Sequence, residues 1–267
     1  MAEKMKKEAK VLSQRLLAEG IYDMWLETPM AGSVVPGQFV GVYTTNKAAL
    51  LPRPISICEV DRERSAIRLV YRVVGVGTAE FAIYQPGDYI MILGPLGNGF
   101  PLHEAAGKKA VVMGGGIGVP PLLQTAKDLS ESKNGLEKPV SITAVMGYRN
   151  QETFLADDFR KYAEMVIATE DGSVGTKGNV IDAMRENEID ADVIFACGPM
   201  PMLRAIKNYA AEKGVKAYIS LEERMACGVG ACLGCVCKTK DVDSHSHVHN
   251  ARICTDGPVF DAQDVEI

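Results

Sequence analysis

The sequence predicts an α/β plus all-β architecture: a six-stranded antiparallel β-barrel, then a parallel-sheet α/β nucleotide domain, then a small cysteine-rich unit. Three observations carry this. From Lys10 to about Pro101 short strand-like runs alternate with turn residues. After Gly107 the pattern changes to strands alternating with helices. Finally, five of the seven cysteines fall between Cys227 and Cys254. The expected divisions are 1–101, 102–216 and 217–267.

In the first third, strands are predicted at Val11 to Leu17, Ile21 to Glu27, Gln38 to Thr44, Ile55 to Val60, Ala66 to Val74 and Tyr89 to Leu93. Pro36-Gly37, Asp61 to Arg64 and Pro86-Gly87-Asp88 supply the turns between them. Six short strands so spaced suit a small closed barrel better than a sandwich with large loops. A helix is predicted at Thr78 to Tyr84, N-capped by Thr78, with Phe81 and Tyr84 on its buried side. Arg53-Pro54-Ile55-Ser56 opens a strand, where a guanidinium can grip a diphosphate bidentately and Ser56 can bond a ring heteroatom. Gly75-Val76-Gly77-Thr78 places flexible backbone at a helix start, a natural anion site. Each tetrapeptide also reads as an ordinary turn; the pair on one barrel points to a ligand.

In the middle, Lys109 to Met113 reads as a buried strand that hands over through Gly114, Gly115, Gly116 and Gly118 to a helix at Pro120 to Leu129. Proline in the first helical turn costs no hydrogen bond. Further strands at Val140 to Met146, Met165 to Thr169 and Asp192 to Cys197 alternate with helices near Leu155 to Tyr162, Val180 to Glu186 and Pro201 to Glu212. Such alternation gives a parallel sheet. Backbone approach to a pyrophosphate at a helix start explains the glycines, although the stretch departs from G-x-G-x-x-G. Glu170-Asp171 and Cys197-Gly198-Pro199 end two other strands and converge on the same carboxyl edge.

In the tail, Ala217 to Leu221 is strand-like, and Cys227, Cys232 and Cys235 follow in C-x4-C-x2-C spacing with Cys254 downstream. That is the plant-type spacing for a [2Fe–2S] cluster, and small residues between the ligands let the loop fold around it. Zinc on the Cys232/Cys235 half-site is an alternative that leaves the wider gap and the glycines unexplained. Disulfides suit neither the odd cysteine count nor a chain without an export signal. Cys237 is expected to face away. His245, His247 and His249 would share one face if extended, a metal-site pattern, but an exposed hairpin between the third and fourth thiols is the preferred reading. His103 is expected to be structural.

The bulk numbers exclude more than they assign. A net charge of −5 argues against nucleic acid as the main partner. Met1 to Glu8 has no apolar run behind it, and no stretch approaches a membrane span, so a cytoplasmic protein is expected.

With Arg-x-x-Ser, Gly-x-x-Thr, Gly-Gly-Gly-x-Gly-x-Pro and Cys-Gly-Pro-x-x-Met in order, the chain resembles the ferredoxin–NADP reductase superfamily. Glu222-Glu-Arg-Met-Ala-Cys227 to Cys235, with Cys254-Thr-Asp-Gly-Pro-Val-Phe260, narrows the resemblance to electron-transfer subunits of class 1B dihydroorotate dehydrogenases. The resemblance implies FAD on the barrel, touched by Arg53, Pro54, Ile55, Ser56, Val70, Tyr71, Arg72, Gly77 and Thr78. It implies a [2Fe–2S] cluster on Cys227, Cys232, Cys235 and Cys254, and NAD near Gly115, Gly116, Gly118, Asp171, Cys197 and Gly198. It also implies a catalytic partner subunit carrying FMN, in a heterotetramer of two of each, serving pyrimidine biosynthesis. The superfamily places an aromatic where Ile55 stands, and its absence agrees with the dihydroorotate branch. Two other readings stay open: a ferredoxin or sulfide–NAD(P) oxidoreductase subunit, told apart by its partner, and a zinc-stabilised nucleotide-binding regulator, told apart by metal content.

Overall fold

The computed structural model describes residues 4–46, 48–132, 135, 137–243 and 247–267. Six strands form the first part: β1 (Met5–Ala18), β2 (Ile21–Glu27), β3 (Phe39–Val42), β4 (Arg53–Asp61), β5 (Ala66–Arg72) and β6 (Tyr89–Leu96). They close into an antiparallel barrel in the order β1-β2-β5-β4-β3-β6. Its interior is filled by side chains such as Met24, Leu26, Ile57, Leu69, Tyr71, Ile90 and Ile92. Closure leaves no sheet edge unpaired.

Between β5 and β6 lies α1 (Val76–Phe81), which buries Phe81 against Tyr71 at one mouth of the barrel. Its boundaries correct the sequence reading. Gly75, in extended backbone, is the N-cap, and Thr78 sits at the third helical position. The Thr78 hydroxyl works backwards from there, accepting from the N–H of Val74 at 2.9 Å and of Gly75 at 3.2 Å. A glycine cap has no side chain, so Thr78 supplies the reverse half of a capping box.

The second part is a sheet ordered β10-β9-β8-β7-β11-β12-β15. Its members are β7 (Lys109–Gly115), β8 (Ser141–Tyr148), β9 (Glu164–Thr169), β10 (Thr176–Lys177), β11 (Val193–Cys197), β12 (Lys216–Ser220) and β15 (Val259–Asp261). All pairs are parallel except β12 with β15. The connecting helices are α2 (Leu123–Glu131), α3 (Ala156–Phe159), α4 (Val180–Glu186) and α5 (Met200–Lys213). A short 3₁₀ turn at Pro120–Leu122 leads into α2. The helix expected at Leu155 to Tyr162 is therefore shorter, four residues followed by turns. Its apolar positions Leu155 and Phe159 are buried and Asp157 is exposed, while the half-buried Asp158 turns toward Arg68 of the barrel and the helix stops at Arg160.

The C-terminal stretch is not closed off from this sheet. β12 starts at Lys216, astride the expected division at 216–217, and β15 returns the chain to the same sheet. Between them, β13 (Val236–Lys238) pairs antiparallel with β14 (Asn250–Arg252), giving a hairpin between Cys235 and Cys254. His247 and His249 are exposed on it, the His249 Nδ1 lying 2.7 Å from the Lys240 carbonyl. His245 lies outside the described residues.

One apolar cluster joins barrel to sheet, with Ile21, Cys58 and Val70 packed beside Phe100, Val112 and Phe195. Beside it runs an ionic seam. Arg68, 4% exposed, grips Asp23 through Nε and Nη2 at 2.9 Å each and reaches Glu59 at 3.2 Å and Asp158 of α3 at 3.1 Å. Lys127 of α2 adds a 2.8 Å bond to Glu59. These contacts fix the barrel against the two helices on one face of the sheet.

Candidate redox site

The tail cysteines gather in two pairs. Cys227 and Cys232 are within hydrogen-bonding reach of each other, as are Cys235 and Cys254. The turns that achieve this use left-handed backbone at Gly228 (φ +69°), Leu233 (φ +55°) and Gly230 (φ +85°). Amide groups turn inward onto sulfur: Val229 N–H lies 3.4 Å from the Cys227 Sγ and Gly234 N–H 3.4 Å from the Cys232 Sγ. Burial alone would raise the Cys227 thiol, but the N–H groups of Val229, Cys232 and Ala231 and the Cys232 side chain bring it down to about 6. Cys254 goes the other way, pushed up to about 12 by burial and by the neighbouring Cys235.

Among the described residues no three Cys, His, Asp or Glu side chains converge on a single ion position. Two pairs of thiols, each pair short of a mononuclear site, are the donor set that a two-iron cluster takes, two thiolates to each iron. The inward N–H groups suit its anionic sulfurs, so the residues fit. Cys232 is exposed at the loop tip, with Val229 and Leu233 also exposed beside it. Cys235 and Cys254 lie in the core beside Phe39 and Leu96. Cys237, one step along β13, stands apart and borders a hollow with Met200 and Leu221; burial pushes its thiol up to about 11.

The loop is seated on the barrel. A Cβ on Gly228 would meet Leu96 at 3.2 Å and Leu93 at 3.4 Å, both on β6. A bracket not foreseen from sequence pins the far side. Asn98 donates from Nδ2 to the carbonyls of Asp256 (3.0 Å) and Val259 (2.8 Å), and its Oδ1 accepts from Val259 N–H at 2.9 Å. Gly97 allows the approach, since a Cβ there would stand 2.5 Å from Pro258. Gly97-Asn98-Gly99 is the only legible signal, and turn chemistry accounts for it equally well.

The register connects this loop to the expected flavin strand. Phe39 of β3 is opposite Ser56 of β4 on one side and Leu96 of β6 on the other. At about 4.8 Å per strand spacing, Ser56 stands roughly 10 Å from the strand carrying the cysteine loop.

Of the residues expected to hold the flavin, Arg53, Gly77 and Thr78 are brought together. A Cβ on Gly77 would fall 2.1 Å from the Arg53 Nε, so the guanidinium lies directly on the glycine backbone. Arg53 is steadied through Nη1 by the carbonyls of Ala49, at 3.0 Å, and Leu51. Among the described residues its Nε and Nη2 have no protein partner, which leaves one edge of the fork for an anion. Pro54, Ile55 and Ser56 remain partly or fully exposed along β4. A planar cofactor with a diphosphate fits this surface. Val70 and Tyr71 are different: both side chains are buried, Val70 toward the sheet and Tyr71 inside the barrel, where its hydroxyl accepts from Gln14 at 3.0 Å. Only their backbone can line a ligand. Arg72, half-buried, points out past them toward Gly116, its Nη2 at 4.0 Å from a Cβ there.

Gly115, Gly116, Gly118, Cys197 and Gly198 meet where the sheet order reverses, between β7 and β11, whereas Asp171 follows β9, two strands from β7. That switch point is where open α/β sheets bind ligands. The glycines differ in purpose. A Cβ on Gly118 would strike the Cys197 carbonyl at 2.4 Å, so packing demands a glycine there, whereas one on Gly115 would meet the sulfur of the flexible Met202 side chain at 2.5 Å. Gly116, with φ +54°, is the one that opens outward. Burial pushes the Cys197 thiol up to about 12, so it stays neutral beside whatever ring it faces. Asp171 is exposed after β9, and the Ser173 hydroxyl and N–H hold its carboxyl below the usual range.

Residues 222–266 match the family described as the iron–sulfur cluster binding domain of dihydroorotate dehydrogenase B, and residues 112–208 match the oxidoreductase NAD-binding domain. A Geobacillus protein (strain WCH70) called dihydroorotate dehydrogenase B (NAD+), electron transfer subunit, is 44% identical over 259 residues, 96% of each chain. A Bacillus caldolyticus protein of the same name is likewise 44% identical over 96% of each chain. Among solved structures, the NADH-dependent reduced ferredoxin–NADP oxidoreductase superposes with a TM-score of 0.83 at 29% identity, covering 97% of this chain and 89% of that one. A ferredoxin NADP+ reductase from Neisseria gonorrhoeae, with bound FAD and NADP, shares the fold at a TM-score of 0.65 and 16% identity, over 82% of this chain and 94% of that one.

Proposed function

Because this chain belongs to the family of dihydroorotate dehydrogenase B electron-transfer subunits, we propose that it carries electrons from a catalytic partner's FMN, through a [2Fe–2S] cluster and a FAD of its own, to NAD+. The observation that carries this reading is the seating of two thiol pairs on β6 of the barrel whose β4 presents Arg53 to Ser56. The work divides as 1–101 for flavin, 102–216 for the nicotinamide nucleotide and 217–267 for the cluster.

Bound FAD supplies the exchange between single electrons and a hydride, which neither a cluster nor a nicotinamide performs alone. The chain's residues do the placing. Arg53 clamps the diphosphate over the backbone of Gly77 and Thr78, Ser56 bonds the flavin ring, and the backbone of Val70 to Arg72 lines the remainder. Gly116 admits the nucleotide pyrophosphate, and Cys197 with Gly198 walls the nicotinamide side. Asp171, kept ionised, favours a ribose hydroxyl over a 2′-phosphate, hence NAD over NADP. No acid or base is required for hydride transfer, in keeping with a neutral Cys197.

The partner is a dihydroorotate-oxidising subunit, two copies of each forming the complex, in the cytoplasm. Among the described residues no helix is long and apolar enough to cross a membrane. The test is anaerobic purification of the full chain with its catalytic neighbour, followed by iron, sulfide and flavin determination. Expected are flavin and iron–sulfur absorbance, NADH-driven reduction of artificial acceptors by this chain, and dihydroorotate-dependent NAD+ reduction only with the partner. Dihydroorotate oxidation by the isolated chain, or zinc in place of iron, defeats the reading. The likeness to the reduced ferredoxin–NADP oxidoreductase favours a second reading, in which the partner exchanges electrons with ferredoxin. Reduction by ferredoxin, with no response to dihydroorotate in the complex, would select it.

A further inference from the structure

A charged clamp straddles Cys254, and the proposed function makes no use of it. Arg252 donates to the Asp256 Oδ2 from its backbone N–H and from Nε, each at 2.8 Å, and to Oδ1 from Nη2 at 3.0 Å. The N–H groups of Thr255, Asp256 and Gly257 turn back onto the Arg252 carbonyl at 3.1, 2.7 and 3.2 Å. Side chain and backbone thus lock a single turn with Cys254 inside it. The free edge of the fork leans on the cysteine loop: Arg252 Nη1 stands 3.6 Å from where a Cβ on Gly230 would be, between Cys227 and Cys232. Thr255 approaches the same point at 2.9 Å, and Gly230 has φ +85°, so this contact depends on glycine. The side chain of Arg252 is only 20% exposed, which limits screening by solvent.

We propose that Arg252 is a potential-setting residue: its fixed guanidinium raises the reduction potential of the cluster held by the four cysteines, and Asp256 moderates that field. The inference rests on the [2Fe–2S] reading. One-electron reduction adds a negative charge to an already anionic group, with no bond broken and no proton required. A cation held nearby stabilises the reduced form more than the oxidised one. The paired carboxylate subtracts part of that effect while keeping the guanidinium in place. Second-sphere charge and hydrogen bonding are recognised controls on such potentials.

The experiment is a redox titration of the full chain with dithionite, followed by the visible and EPR spectra of the cluster, in wild type, R252Q, R252K and D256N. Iron and sulfide content of the wild type is measured first, because a chain without a cluster overturns both this inference and the proposed function. With a cluster present, R252Q should lower the midpoint, giving an about tenfold lower ratio of reduced to oxidised cluster at the wild-type midpoint, equivalent to ~59 mV for one electron. R252K, which keeps the charge but not the fork, should recover most of the difference, and D256N should move the midpoint upward. Equal midpoints throughout, the same displacement in R252K and R252Q, or a downward shift in D256N would each overturn the tuning role and leave the function intact. Should R252Q fail to retain iron, the opposite displacement expected of D256N still decides the matter.

Discussion

Single atoms decide the cofactor assignments. Gly77 lies inside α1 with ordinary helical neighbours, so alanine there should favour the helix by up to about 1 kcal/mol. Its Cβ, however, would occupy the place of the Arg53 guanidinium. G77A should therefore keep or raise the unfolding temperature while cutting flavin retention about ten- to a hundredfold, read as flavin content after dialysis. Unchanged flavin content would remove Arg53 from the binding site. Asp171 gives a second test, since its carboxyl is held ionised at the end of β9. D171N should lower the preference for NADH over NADPH about tenfold in kcat/KM, because repulsion of a 2′-phosphate is lost. The motifs made these positions legible, but not their separate reasons. Gly115 and Gly118 read as phosphate-approach glycines, yet Gly118 is also required by the backbone of Cys197, and the Met202 sulfur packs against Gly115. Sequence spacing cannot show which side of a glycine faces protein.

Elements were legible wherever local pattern decides them. β2 and α4 occupy the residues expected, since each has a clean period and its own stop signals. β1 runs longer than expected, from Met5, because its first residues pair with β6 rather than following any apolar alternation of their own. β15 was invisible for the same reason, since it exists through a partner strand distant in sequence, whereas the two-residue β10 pairs with the neighbouring β9 and is too short to carry a pattern of its own. The cysteine loop belongs to both cases. Its ligands were readable, whereas its anchorage through Asn98 was not, because three of that side chain's bonds reach about 160 residues ahead. N98A removes all three at a cost of about 1–3 kcal/mol. The cluster should then bleach several times faster under a chelator, while flavin content holds. N98D, which keeps the acceptor for Val259 N–H, should fall between. Equal bleaching rates in all three proteins would show that the bracket does not hold the cluster segment in place.

At the scale of the molecule, function needs barrel and sheet held in one relation, and the seam around Arg68 is what sequence reasoning had no means of finding. Its charges come from β2, β4, β5, α2 and α3, and none is remarkable in its own segment. Burial tends to raise the Asp158 carboxyl, but Lys161 at 2.7 Å and Arg68 at 3.1 Å hold it below its ordinary 3.8. A depressed carboxyl contributes stability that is fully present above its unfolded value and is lost as pH falls through the folded one. Lys127 is raised above 10.5, so its share is complete below that value and disappears as pH rises through the higher folded one. The seam therefore holds across neutral pH and loosens in acid, starting below about pH 4. Asp158 is partly exposed, which discounts its contribution to about 1 kcal/mol, or about 2–4 °C in the unfolding midpoint of a chain this size. D158N should lose that margin at pH 7 and show a shallower acid limb than wild type. R68Q should cost more, about 3–5 kcal/mol, because it strips the buried Asp23 of its fork and leaves only the exposed Arg15 to pair with it. Calorimetry from pH 3 to pH 8 tests both. Parallel acid limbs in wild type and D158N would show that the barrel is held to α3 by the apolar cluster alone.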